Sequence, residues 1–325
     1  MGDAPVNWDE RRALRWMVVT GSFISLFALA LLCVVLAVVV LQFVPLFVEA
    51  GPAVAVVRVE GVIGSTDGDL FSGPGVRSDE VVKRLDELKE HRDVRAVVVR
   101  INSPGGGVVA SDEIRAAVLR VRASGKPVVA SMGELAASGG YYIAAATDRI
   151  LANPQTTTGS IGVLAVIPVV EGLLDRIGIE VEVVKSGPLK GSGSGFAPLG
   201  DAERAILQDL IDGAYEQFVA VVAEGRKLDE PRVRELADGR VYSGQQALQL
   251  GLVDEMGNLP EAIDRAAELA GLGEKPRIIE DRRRSLPETL FSARALGAPS
   301  PAGVAAGLAV DRTAPLQYLY LGTGR

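Results

Sequence analysis

A parallel α/β domain, carried behind a membrane-crossing N-terminal helix, is the architecture this 325-residue sequence predicts. Three observations predict it. Strand-like and helix-like segments alternate along most of the chain after residue 53. The strand-like segments are near-continuous apolar runs, as in strands buried on both faces. No residue from Trp16 to Val48 is charged, a stretch longer than the roughly 20 residues that span a bilayer.

The elements follow in order. "RRALR" (11–15) precedes the apolar run and Glu49 follows it, so the positive-inside rule keeps residues 1–15 in the cytoplasm. Residues 16–48 are then a single-pass anchor, and the chain from 49 is exported. A cleaved signal peptide would have a shorter apolar core and a small-residue exit. "LQFVPLFVEAGPA" is long and bulky instead, which favours an uncleaved anchor. "AVAVVRVEGVIG" (53–64) predicts a buried strand and 65–78 a loop. Residues 79–93 place apolar residues at helical spacing. "VRAVVVRI" (94–101) predicts a second strand, "NSPGGG" (102–107) a sharp turn, and 108–125 a helix stopped at Gly125. "KPVVASM" (126–132) predicts a third strand. The serine-bearing segment "GELAASGG" follows it, then a helix "GYYIAAAT" and a short strand "DRILANP". "EVEVV" (180–184) predicts a further strand. Residues 201–226 form a long amphipathic helix, and 233–257 and 259–272 further helices joined by glycine turns. The exported domain thus covers 49–274. From 275 to 325 the chain is rich in Arg, Pro, Gly and Ala with weak periodicity and predicts a loosely ordered tail.

Composition excludes several classes. The net charge of −7 argues against nucleic acid as partner. The one cysteine, Cys33, lies in the apolar run, so neither an intrachain disulfide nor a cysteine zinc site can form. No phosphate-loop or dinucleotide fingerprint is present. No metal and no cofactor is expected.

The chemistry concentrates in two glycine-rich turns, "NSPGGG" and "GELAASGG", after successive strands. In a parallel sheet both open at the C-terminal edge, where ligands bind. Backbone N–H groups from two such turns can hold an oxyanion, and glycine permits the close approach. Ser138 sits in the second turn as a candidate nucleophile. The chain's single histidine, His91, lies in the charged "LKEHRD" and reads as a solvated surface residue. A Ser-His-Asp triad is therefore disfavoured. Serine can use a lysine whose amine is kept neutral. Of seven lysines, Lys83 and Lys89 lie on an amphipathic helix and Lys126 begins a strand at the wrong end of the sheet. Lys227 and Lys275 lie in polar contexts. Lys185 and Lys190, in "VVKSGPLKGSGSGF", remain. Ser160 lies in a Gly-Ser turn. Tyr141 and Tyr142 read as packing or groove wall, and Met132 as core.

"INSPGGG", "ELAASGGYYIA", "TTTGSIGV", "KSGPLKG" and "GRVYSGQQALQLGLVDEMG" together resemble the signal peptide peptidase A family of bacterial membrane serine proteases, over roughly residues 54–272. The resemblance implies a Clp protease/crotonase-like fold, a repeated β-β-α superhelix. It makes Ser138 the nucleophile, Lys190 the general base and Ser160 the group that orients the lysine amine. Gly106 and Gly139 would supply the oxyanion-hole N–H groups. Where family members often continue from the lysine to an acidic residue and "GSP", this chain reads "GSGSGF", which leaves the loop geometry and substrate preference open. The chain carries one copy of the unit. In the short members, serine and lysine come from neighbouring protomers of a dome-shaped homo-oligomer, and the same is expected here. The expected substrates are apolar extended peptides such as cleaved signal peptides, beside membrane lipid and the cytoplasmic membrane of a bacterium. Two alternatives have the same core: a stomatin-associated protease with a narrow target, and a non-hydrolytic acyl-CoA-binding crotonase relative. The latter conflicts with export.

Overall fold

The structure is a computed structural model and describes residues 8–43, 51–64, 75–273, 275–280 and 317–319. The N-terminal helix α1 (Trp8–Phe43) contains Val19–Leu36, with a mean hydropathy of 2.5 and no burial. By length and composition it can cross a membrane. It forms one compact unit, and the chain from Gly51 forms another.

The second unit starts with β1 (Ala53–Glu60), which breaks at Gly61, φ 93°, into the short β2 (Val62–Gly64). β3 (Gly75–Arg77), α2 (Ser78–Glu90), β4 (Val94–Ser103), β5 (Gly105–Gly107) and α3 (Val108–Ala123) follow. Next come β6 (Val128–Ala137), α4 (Gly139–Ala144), β7 (Arg149–Ala152), β8 (Thr157–Gly159) and α5 (Glu171–Arg176). The remaining elements are α6 (Asp201–Arg226), α7 (Glu230–Leu236), β9 (Val241–Ser243), α8 (Gly244–Gln249), β10 (Glu255–Met256), α9 (Leu259–Leu269), β11 (Arg277–Glu280) and β12 (Gln317–Leu319).

The main sheet runs β10-β7-β6-β4-β1-β11, with every one of these neighbours parallel. Side chains alternate across it, and both faces are covered. β1 sends Ala55, Val57 and Val59 into a large core shared with Leu85 of α2, Ile114 of α3 and Tyr141 of α4. Its Val54 and Val56 meet Ala262, Ile263 and Ala266 of α9 on the other face. That is why the strands read as unbroken Val runs: each fully buried side chain is worth about 1.5–3 kcal/mol. A second sheet, β12-β5-β2-β3, continues β1 and β4 beyond their ends. Each of those strands thus turns off into a short strand and then a helix, so that β1-β2 lead toward α2 and β4-β5 lead into α3.

Four sequence expectations need correction. The turn "NSPGGG" contains a strand, β5, made of glycine alone. Residues 233–257 are not simply helices joined by turns: β9 lies between α7 and α8, and β10 ends the stretch. "EVEVV" forms no strand. Val181, Val183 and Val184 are exposed, and their alternation meets no strand edge among the described residues. The segment expected as tail begins with a sheet strand, since β11 pairs in parallel with β1. Most of residues 281–325, and the loop at 65–74, lie outside the described residues.

α6 crosses α4 so closely that a Cβ on Gly225 would lie 1.9 Å from the carbonyl oxygen of Ala145. Gly225→Ala is therefore expected to destabilise the domain by about 3 kcal/mol or more, a fall of about 6–12 °C in Tm. Gly213, in the same helix, has open space around it. Gly213→Ala should leave Tm unchanged or raise it, by up to about 1 kcal/mol of helix propensity. Thermal melts of the two variants side by side check the contact.

Candidate active site

The site begins where β6 stops. β6 and β8 run in parallel, and their last paired residues are Ala137 and Gly159. The next residue on each strand is a serine. Ser138 has φ 52° and ψ −117°, and Ser160 has φ 49°. Neither is glycine, and a positive φ costs a residue with a Cβ about 1–3 kcal/mol. Both conformations are held by the backbone: Ser138 N donates to Gly159 O at 2.8 Å, and Ser160 N donates to Arg240 O at 2.8 Å. Ser138 then caps α4, with Tyr142 N donating back to its carbonyl at 2.9 Å. A strained serine at a strand-to-helix turn is the geometry that presents a nucleophilic hydroxyl. Both serines are buried, at 1% and 8% exposure.

The glycine strand β5 lies against the same turn. An added Cβ on Gly139 would come within 3.2 Å of Gly106 N and of Gly105 Cα, and within 2.5 Å of Ser111 Oγ. One on Gly106 would strike the Ile63 carbonyl oxygen at 1.9 Å. The backbone of Gly139 therefore lies close to Gly105 and Gly106, and neither residue of the Gly106–Gly139 contact has room for a side chain, Gly106 because of Ile63. Ser103 Oγ accepts the Gly105 N–H at 3.0 Å and holds the turn.

The support behind α4 is aromatic and polar. Tyr141 and Tyr142 are fully buried. Tyr141 donates to Leu252 O at 2.9 Å, and burial pushes its phenol well above the ordinary value, so it stays a donor. Tyr142 donates to Asp112 Oδ1 at 2.7 Å and meets Phe218 edge-on at 5.1 Å. These are packing roles, as the sequence predicts. Met132 is core, and His91 is exposed at the end of α2. Lys126 donates to Leu88 O and His91 O at 2.7 and 2.8 Å. Burial lowers its amine somewhat, but it lies at the start of β6, the far edge from Ser138. A cavity of about 620 Å³ opens at that far edge, lined by Arg122, Lys126, Asp148, Arg226 and Asp254. It is remote from the strained serine.

Lys190 is exposed, on an irregular segment between α5 and α6. Among the described residues no hydrogen bond joins it to Ser138 or Ser160; Lys185 Nζ donates to Pro188 O at 2.8 Å within the same segment. The fold thus brings together Ser138, Ser160, Gly106 and Gly139 within one chain, and leaves Lys190 outside their hydrogen bonds. Two contributors escaped the sequence reading. Arg240 holds Ser160 through its carbonyl. Tyr242 packs on Gly159, where a Cβ would meet its ring at 2.6 Å. Both lie in the quoted "GRVYSG", but their partners are far away in sequence. Ser111 also escaped notice: its Oγ is buried beside Gly139 with no hydrogen-bond partner among the described residues.

Residues 120–273 match Peptidase family S49. A relative from Enterococcus faecium that carries a signal peptide peptidase SppA name is 39% identical over 207 residues, 63% of this chain and 60% of the relative. Protease 4 of Haemophilus influenzae is 37% identical over 216 residues, 66% of this chain and 34% of its own length. A Synechocystis protein with a protease name is 46% identical over 192 residues, 59% of this chain and 69% of its own. The strained Ser138 lies within the matched residues 120–273, and the chain belongs to peptidase family S49, the signal peptide peptidase A family.

Proposed function

We propose that this chain is a membrane-anchored serine endopeptidase that uses a Ser-Lys dyad, with α1 as a single-pass anchor, its N-terminus in the cytoplasm and the catalytic unit outside. The observation that carries the reading is the strained, buried Ser138 set against the Gly106–Gly139 contact. In the reaction, Ser138 Oγ attacks the scissile carbonyl carbon and its proton passes to the Lys190 amine. The N–H groups of Gly106 and Gly139 receive the negative charge that develops on the carbonyl oxygen. Collapse breaks the C–N bond, and the lysine returns the proton to the leaving amine. A water, deprotonated by the same amine, then hydrolyses the acyl-serine. Ser160 orients the amine. The fold follows a Clp protease/crotonase-like superhelix, a reading supported by the repeated passage from main sheet to second sheet to helix. Its substrates are apolar, extended peptides such as signal-peptide remnants, taken as an added strand.

The base arrives from a second copy of the chain. Supporting this, the segment that carries Lys190 exposes Leu173, Ile177, Val181, Val183 and Val184, the last at 92%. Exposed apolar residues gathered on one segment are the mark of an association site, and "EVEVV" is a strand pattern awaiting an edge. A ring of such subunits would enclose the sites and admit unfolded chains only.

The test is covalent. Detergent-solubilised full-length protein treated with a fluorophosphonate is expected to gain one adduct, mapped by mass spectrometry to Ser138. Failure of Ser138 to react, or an adduct on another serine, would overturn the assignment.

A further inference from the structure

Four buried side-chain polar atoms have no hydrogen-bond partner among the described residues. Three are the Nε atoms of Arg84, Arg115 and Arg277, guanidinium groups that form ion pairs through their other nitrogens. The fourth is Ser111 Oγ, on a side chain with 0% exposure.

Ser111 lies one turn into α3, the helix that follows the glycine strand β5. A serine inside a helix ordinarily bonds back to the carbonyl one turn earlier. Here that carbonyl belongs to Gly107, and the bond does not form. The oxygen sits against α4 instead. The point that a Cβ on Gly139 would occupy is 2.5 Å from Ser111 Oγ and 3.2 Å from Gly106 N. The hydroxyl therefore abuts the backbone that carries both candidate oxyanion donors. Gly139 opens α4, and a helix leaves its first N–H groups without partners inside the helix.

A buried hydroxyl without a partner is a cost. Alanine would remove that cost and is the better helix former. Stability alone gives no reason for a serine here, whereas a hydrogen bond made only while the site is at work does. Interactions stronger in the transition state than in the ground state are the ones that raise kcat.

We propose that Ser111 is a positioning residue for the oxyanion hole. Its hydroxyl, unpaired at rest, takes a hydrogen bond with the Gly139 backbone as that backbone closes on the developing negative charge. The bond steadies the Gly139 N–H, so its loss weakens transition-state binding and leaves the binding of uncleaved peptide alone. The inference rests on the site reading above and extends it to a residue of α3.

The experiment compares full-length wild type in detergent with Ser111→Ala and Ser111→Cys. The probes are an apolar peptide substrate, the matching peptide aldehyde and the matching peptide amide. The aldehyde mimics the transition state by adding to a nucleophilic serine, and the amide does not. Removing a direct oxyanion donor costs about 10²–10³ in kcat. Ser111 acts through Gly139, so Ser111→Ala is expected to cost about 10–100-fold in kcat, with KM within about twofold of wild type. Aldehyde affinity should fall by the same factor while amide affinity stays level. The melting temperature should hold or rise, because an unpaired hydroxyl has been removed. Ser111→Cys, with only a weak S–H donor, should follow alanine in kcat. Wild-type kcat and aldehyde affinity in Ser111→Ala would overturn the proposal. A loss shared equally by aldehyde and amide would overturn it too, as the mark of a packing defect. Wild type that binds the aldehyde no more tightly than the amide would defeat the peptidase reading itself, and this proposal with it.

Discussion

Ser138→Ala is expected to lower kcat/KM for peptide hydrolysis by about 10⁴–10⁶-fold, leaving the residual rate that binding and an oxyanion hole alone supply. The loss should come without unfolding, because alanine fits the same buried space and gives up only the hydroxyl. Ser138→Gly sharpens the test. The serine pays for its positive φ, about 1–3 kcal/mol, and glycine adopts that region freely. Ser138→Gly should therefore be as dead as the alanine variant yet melt at a higher temperature. Peptide assays with thermal melts on wild type and both variants separate the two effects. An active Ser138→Gly would show that the nucleophile lies elsewhere.

Lys190→Ala is expected to be nearly as damaging, because the rival bases among the described residues are ill placed: His91 is exposed at a helix end, and Lys126 is bound to carbonyls at the opposite edge. The arrangement between subunits gives a sharper result. Co-expressed Ser138→Ala and Lys190→Ala chains, each inactive alone, should regain hydrolysis when mixed, since a Lys190→Ala protomer still offers Ser138 to a neighbour that keeps its lysine. Two affinity tags isolate the mixed oligomers. Mixed oligomers with no activity would place the whole dyad in one chain, and full turnover by Lys190→Ala beside a dead Lys185→Ala would move the base to Lys185.

The strands that were legible in the sequence are those buried on both faces. β1, β4 and β6 announce themselves as Val-rich runs because burial, a bulk property, selected their residues. The short strands escaped for the opposite reason. β5 is all glycine, a residue depleted in strands, and β9 and β10 are three and two residues long. "EVEVV" misled because alternation is local information, whereas a strand needs an edge supplied from elsewhere. The candidate site divides in the same way. That glycine turns and a serine follow successive strands could be read directly. That Ser138 and Ser160 occupy matching positions on neighbouring strands depends on the register Ala137 to Gly159, a nonlocal fact that no local pattern carries. The β12 pairing had no signal beyond a short aromatic and leucine patch in a tail otherwise rich in Arg, Pro, Gly and Ala.

The exposed position of Lys190 has a kinetic consequence. On the proposed roles, Ser138, Gly106 and Gly139 sit in a buried part of the fold, while Lys190 rides on a segment that the described residues leave exposed. If the base is completed by a neighbour, a lone protomer is a zymogen without a propeptide. Specific activity would then climb with the surface density of the enzyme in the bilayer, and dilution into excess lipid would switch it off reversibly.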